Sequence, residues 1–186
     1  MARQLTTEQL EQGLDNILAS PKDNGTLELI VRRPEVDGRE NRAEGRLDTE
    51  QGLVGDNWLS RGCHHTADGA ADPEMQLNIM NARVVALVAD DPDRRELAGD
   101  QLYLDMDLSD ENLPPGTRLG IGDAIIEVTE PPHTGCRKFA ERFGKDAVVF
   151  VNSGRGKQLN FRGINAKVVQ SGDIKVGDVA RKLTGD

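Results

Sequence analysis

The sequence predicts a mainly β fold, a closed barrel with a few short helices on its periphery. One observation is the alternation of apolar and polar residues in short runs, the period of a half-buried strand; Leu102, Leu104, Met106 and Leu108 give the cleanest case. A second is a turn signature that occurs twice. Leu119-x-Ile121-Gly122-Asp123-Ala124 and Ile174-x-Val176-Gly177-Asp178-Val179 share an apolar pair, Gly-Asp and a fresh strand start, as small barrels do where turns gather at one end. The third is composition: aromatic residues are 3%, so the core must be built from Val, Ile, Leu and Ala.

The chain has 186 residues, enough for one core without disulfide or metal staples. It divides into an N-terminal helical extension over residues 1–25 and a barrel domain over 26–186. No apolar run approaches the roughly 18 residues that a membrane span requires, and the N-terminus lacks an apolar signal core. The reading is a cytoplasmic protein, off the membrane, with its two cysteines reduced.

Thr6 and Gln9 stand in capping-box spacing, and Leu10, Leu14, Ile17 and Leu18 form one helical stripe that ends before Pro21. Thr26 to Arg32 reads as the first strand, and Glu35 to Arg46 as a charged loop or short hairpin. Trp58 reads as a plug at a barrel end rather than a ligand-stacking platform. Met75 to Met80 is a strand, after which Asn81 can cap a short helix reaching Val88, a run that is also β-branched enough to be strand. Gly99 to Leu108, Arg118 to Ala124 and Ala124 to Thr129 follow as strands. Arg137 to Phe143 is a helix ended by Gly144. Ala147 to Val151 is expected as a strand, Asn152 to Lys157 as a mobile loop, and Leu159 to Val169 as a strand with Gly163 at a bulge or close approach. A last strand closes the chain near Ile174 to Ala180.

The chemistry concentrates at Pro131-Pro132-His133-Thr134-Gly135-Cys136-Arg137-Lys138-Phe139. Two prolines stop the preceding strand, Gly135 permits a tight turn, and a cysteine follows beside two cations. Such a thiol is exposed and its thiolate is favoured, ready to attack an electrophile, carry sulfur or bind a soft metal. The residues alone equally allow a small buried, inert cysteine. His133 is an acid–base candidate by its ordinary titration near neutrality, though exposed loop histidines often carry no such role. Cys63 and one of the adjacent His64 and His65, with His133 and Cys136, supply four zinc ligands on paper, but the spacing lacks a second metal-binding pair and the segment after Cys63-His64-His65 is a loop.

Charge is distributed unevenly along an acidic chain of formal charge −9. From Asp90 to Glu111 nine acids face two arginines; from Arg137 to Lys167 eight bases face two acids. Cys136 heads the basic section, which suits a small anionic ligand better than a polynucleotide, so no nucleic-acid partner is expected.

Taken in order, several segments resemble the molybdenum cofactor sulfurase C-terminal (MOSC) domain family. They are Gly52-Leu53-Val54-Gly55-Asp56, Gly99-Asp100-Gln101-Leu102, Leu119 to Asp123, the Gly135-Cys136-x-x-Phe139 segment with Arg142-Phe143-Gly144, Arg162 to Ala166 and Ser171 to Asp178. The resemblance implies a β-barrel similar to that of pyruvate kinase. It implies that Cys136 is the family's characteristic cysteine, a molybdenum ligand in members that hold molybdopterin and reduce N-hydroxylated compounds, and a persulfide sulfur carrier in others. On that basis Cys136 and His133 are the catalytic candidates, and Arg137, Lys138 and Arg162 the candidates for the cofactor's phosphate. The third alternative is a non-catalytic ligand-binding barrel.

Gln101 departs from the family pattern, where an asparagine is common. No ferredoxin-like cysteine cluster and no pyridoxal-phosphate desulfurase segment stands in this sequence, and no lysine stands out as a Schiff-base former. An oxidoreductase of this kind therefore needs a partner protein as electron donor for its small-molecule substrate. A sulfur carrier needs a donor of the cysteine desulfurase type, pyridoxal phosphate belonging to the family only.

Overall fold

The computed structural model describes residues 3–63 and 66–183. The chain begins with helices α1 (Thr7–Gln12) and α2 (Leu14–Leu18), then strands β1 (Gly25–Arg32), β2 (Glu40–Arg42), β3 (Glu44–Asp48) and β4 (Gly52–Leu53). Helix α3 (Trp58–Arg61) and a 3₁₀ turn at Pro73–Met75 precede β5 (Leu77–Asn81), α4 (Ala82–Ala89), a second 3₁₀ segment at Pro92–Ala98 and β6 (Leu102–Asp105). Then come β7 (Arg118–Ile121), β8 (Ala124–Val128), α5 (Arg137–Phe143), α6 (Lys145–Asn152), α7 (Gly154–Gln158), β9 (Ile164–Gln170), β10 (Gly172–Lys175) and β11 (Val179–Leu183).

Seven strands close a barrel in the order β11-β7-β8-β9-β5-β6-β1, sealed by β1 against β11. Among the described residues only β5 and β6 pair in parallel, and their crossover carries α4 across the outside of the barrel. β2 extends β1, and a small sheet in the order β10-β3-β4 lies beside the barrel. Period-2 alternation sorts side chains between two cores. On β6, Leu102 and Leu104 fill the barrel with Leu27, Ile79 and Ile126, whereas Tyr103 faces outward beneath Phe139, Phe143 and Val84. Met106 and Leu108 continue the inward row that the alternation predicts.

Thr6 and Gln9 form the expected capping box. The helix breaks at Gly13, where a β-carbon would stand 2.5 Å from the Leu87 side chain of α4. Asn81 caps α4 through hydrogen bonds from the amides of Arg83 and Val84. Trp58 is buried at the start of α3.

Three expectations fail after Cys136. Residues 147–151 are helix α6, not a strand: Ala147, Phe150 and Val151 are buried at i, i+3 and i+4 while Val149 faces water, so the helical period prevails over β-branched propensity. The stretch 152–157 is not an irregular loop but leads into α7, which Ser153 caps by accepting from the Gly156 amide. Strand β9 begins only at Ile164; residues before it turn through Asn160 at φ 50°. Gly163, at φ 115°, is a close approach, since a β-carbon there would meet the Ile79 carbonyl oxygen at 2.2 Å.

Candidate functional site

The strand registers set the end of β1 beside the start of β6, the end of β8 beside the start of β9, and Asn78 of β5 opposite Asn165 of β9. Here β8 passes through Pro131 and Pro132 into α5, and Cys136 occupies the position just before that helix. Gly135 serves close packing rather than a left-handed turn. A β-carbon on it would come within 3.0 Å of Val148 and Val151, and its amide and carbonyl pair reciprocally with the Asn152 side chain, each at 2.9 Å. The thiol of Cys136 is free and exposed, which decides between the two states that the sequence left open.

Cys136 stands at the edge of a cavity of about 230 Å³ that also takes in His133, Lys138 and Arg162. Arginines from distant segments complete it: Arg33 and Arg39 follow β1, Arg61 closes α3, and Arg142 lies on α5. The lining acids are Glu35 and Asp37, so cations predominate. Arg137, one of the expected phosphate ligands, does not line it; its guanidinium is 91% exposed and pairs with Glu141 one helical turn on. Helical geometry turns adjacent residues of α5 to different faces, which separates Arg137 from Lys138. Lys138 reaches Asp37 at 2.8 Å, and Arg142 reaches the same carboxylate at 3.0 Å.

Two buried ion pairs fix the floor. Arg33 holds Asp56 through Nε at 2.8 Å and Nη2 at 2.9 Å, and donates further to Asn78 and the Gly99 carbonyl. Arg162 directs Nη1 at both Asp100 oxygens, 2.8 and 2.7 Å away, donates Nη2 to the Ala98 carbonyl, and lies over the Phe139 ring. Burial pushes the Asp100 carboxyl up, with the Arg162 guanidinium acting against it. Arg39 and Arg142 converge on Gly99, each within 4 Å of where a β-carbon would stand. Among the described residues neither Arg39 nor Arg61 has a carboxylate partner, and the Nε atoms of Arg39 and Arg162 are buried without a hydrogen bond. Burial lowers both the Arg39 and Arg61 guanidiniums, with neighbouring arginines adding to it.

His133 is not an exposed loop residue. Its side chain is 14% exposed, and Nδ1 lies 3.4 Å from Asp100 Oδ1 without an aligned hydrogen bond. Burial, then the charges of Arg162 and Arg33, hold the imidazole well below its ordinary titration range, so it is neutral at neutral pH. Gln101 is fully buried beneath this end, accepting from the Asn78 amide at 2.7 Å and donating to the Gln76 carbonyl at 3.2 Å. Its length is used in cross-linking β5 to β6. Cys63 is half-buried; His64 and His65 lie outside the described residues, among which no group of three or more His, Cys, Asp or Glu is placed to hold a metal ion.

The sequence reading placed Cys136, His133, Lys138 and Arg162 at one site and missed Arg33, Arg39 and Arg61. The sign of Arg33 and Arg39 was the density of arginine in the stretch after β1, which shows charge but no direction, and Arg61 in α3 gave none.

Among solved structures, the chain is similar to YiiM from Escherichia coli, at 19% identity and a TM-score of 0.55, over 87% of this chain and 71% of that one. It is also similar to the YUAD protein from Bacillus subtilis, at 17% identity and 0.58, over 87% and 97%. A structure described as that of a hypothetical protein matches at 19% and 0.58, over 88% and 70%. These identities show the fold. No curated protein matches the chain. The MOSC domain family matches over residues 72–181, from the approach to β5 into β11, with Cys136, His133 and Arg162 inside the match. By that match and by the closed barrel that carries it, the chain belongs to the MOSC domain family.

Proposed function

We propose that the protein binds the molybdenum cofactor, with Cys136 as a ligand to the metal, and reduces N-oxygenated organic compounds with electrons from a partner protein. The observation that supports this reading most is the exposed Cys136 thiol at the edge of a cavity whose Arg39 and Arg61 have no carboxylate partner among the described residues. The family is generally associated with this cofactor. The residues fit such a group: a thiolate is a soft ligand, and the buried, unbonded Nε atoms of Arg39 and Arg162 mark a site short of anions.

In this reading Cys136 would hold the metal and Arg39 and Arg61 the anionic end of the pterin, with Arg142 and Lys138, which share Asp37, at the rim. Arg33 and Arg162 are already committed to Asp56 and Asp100, so they shape and charge the floor rather than grip the phosphate. The bound cofactor supplies a two-electron couple. Cleavage of an N–O bond takes up two electrons and two protons and releases water. His133, neutral and mostly buried, offers the substrate a hydrogen bond rather than a standing positive charge. Asp56, Asn78 and Gln101 hold the floor rigid through their mutual hydrogen bonds, which favours a fixed binding geometry.

The exposure of Cys136 also supports a second reading, a sulfur carrier charged as a persulfide by a desulfurase-type donor. Elemental analysis of protein made in a host that produces molybdenum cofactor separates the two. Near-stoichiometric molybdenum that disappears in Cys136→Ser is expected. No molybdenum in either protein would overturn the first reading, and a one-sulfur mass increase on Cys136, removed by reductant, would favour the second.

A further inference from the structure

On the other side of the Pro131–Thr134 segment lies a second cavity, of about 410 Å³, within the range of small-molecule sites. It shares one lining residue with the arginine-lined cavity, His133. Elsewhere the two are divided by a hydrogen bond of 2.7 Å from Asn78, which lines the first, to Asn165, which lines the second.

The chemistry of the two cavities is opposite. The buried lining of the second is uncharged: Val128, Val151, Ile164, Gly156, Gly163 and Asn165. Its charged residues, Asp110, Glu130 and Lys157, are all exposed and so belong to the rim. The polar groups within are already used. Asn165 accepts from Asn78 and donates to the Pro131 carbonyl, and Thr129 donates to the Glu74 carbonyl. What remains is the imidazole of His133, whose Nε2 makes no hydrogen bond among the described residues, while Nδ1 is turned toward Asp100. A charged ligand entering this space would lose its hydration without finding a counter-charge.

We propose that this cavity is the substrate pocket, that it takes an uncharged, largely apolar organic molecule of one or two rings, and that His133 receives the molecule's polar group. The assignment of the ligand as substrate rests on the function proposed above. It divides the barrel end into an anion-binding half and a neutral half that meet at one side chain. Selection against charge follows from the uncharged depth of the pocket, not from a specific contact. The polar group of a bound molecule would thereby be carried toward the cavity that Cys136 borders.

Three probes of one shape and different charge test this: benzamide, benzoate and benzamidinium, titrated into metal-free full-length protein and followed by amide and methyl NMR. Benzamide is expected to shift resonances of Val151, Gly163 and Ile164 and to bind at those residues at least tenfold more tightly than either ion, with benzoate shifting the residues of the arginine cavity instead. Thr134→Trp, which bulks an exposed lining residue, should weaken benzamide at least tenfold, and Arg137→Ala, outside both cavities, should leave it unchanged. Equal binding of all three probes at those residues, benzamide shifts confined to the arginine cavity, or no binding of benzamide would each overturn the proposal, whatever the molybdenum content. Benzamide binding in a protein that never retains molybdenum would uphold the pocket and sink the reductase reading.

Discussion

Arg162 and Asp100 form a closed pair at the barrel end: both side chains are almost wholly buried, and one guanidinium nitrogen lies within 2.8 Å of both carboxylate oxygens. They join the approach to β9 to the approach to β6, and His133 rests against the same carboxylate. Replacing Asp100 by Asn leaves a buried guanidinium without its counter-ion. The expected loss is about 3–5 kcal/mol, read as a lowered urea midpoint at unchanged slope. A loss below about 1 kcal/mol would show that the pair does not hold this end together.

Cys136 is exposed and makes no side-chain hydrogen bond as the residue capping α5, so Cys136→Ser should change stability by less than about 0.5 kcal/mol. Molybdenum retention and turnover should both disappear with it. Cys63→Ser should keep both. Parallel metal analysis and activity assays decide the matter, and loss of function in the second variant would make Cys63 part of the site.

Arg39→Ala should weaken binding of inorganic phosphate by roughly tenfold, about 1.4 kcal/mol, whereas Arg137→Ala should leave it unchanged. The first guanidinium lines the cavity without a carboxylate partner among the described residues; the second lies on the far face of α5 with Glu141. Phosphate titration followed by NMR would compare them. Equal effects would place the anion on the outer surface of α5.

His133 sets a pH dependence of stability. Its folded titration lies well below that of the unfolded chain, so below about pH 6.5 the unfolded state binds more protons and stability falls as the pH falls. The slope contributed is at most about 1.4 kcal/mol per pH unit, and it ends when the folded imidazole itself protonates. Urea unfolding at pH 7.5, 6.5 and 5.5 should therefore show a shallower decline in His133→Gln than in the parent. Parallel declines would mean that the imidazole is solvated and titrates normally.

Gly163→Ala should cost at least about 2 kcal/mol, because the added carbon meets the Ile79 carbonyl and the backbone sits at φ 115°. Gly116, also at positive φ but with open space around it, should tolerate alanine better. Thermal or urea denaturation of the two variants gives the comparison.

The strands that were legible in sequence are those with one buried face, such as Leu102 to Leu108, where alternation reports the barrel directly. Cys136 was legible because prolines, glycine and cations surround it in sequence. Residues 147–151 were misread because Val148 and Val149 favour extended chain locally, while the surface that α6 covers is supplied by residues far away, including Leu10 and Met80. The arginine cavity was half hidden for the same reason. Arg162 and Arg142 lie near Cys136 in sequence, but Arg33, Arg39 and Arg61 come to it only through the closure of the barrel. The burial of His133 was equally invisible, since Asp100, Arg162 and Arg33 approach it from other elements.

The seam between β1 and β11 joins Gly25 to Ala180 and Thr26 to Val179, residues from nearly opposite ends of the chain. Closing so long a loop costs chain entropy, and barrels rich in such contacts fold slowly. The seam lies at the start of β1, whereas Arg33 follows its end, so this clasp of two registered residue pairs closes the barrel at a distance from the arginines. An anion held past the far end of β1 would still hold this clasp shut, because only the closed barrel assembles the site that binds it.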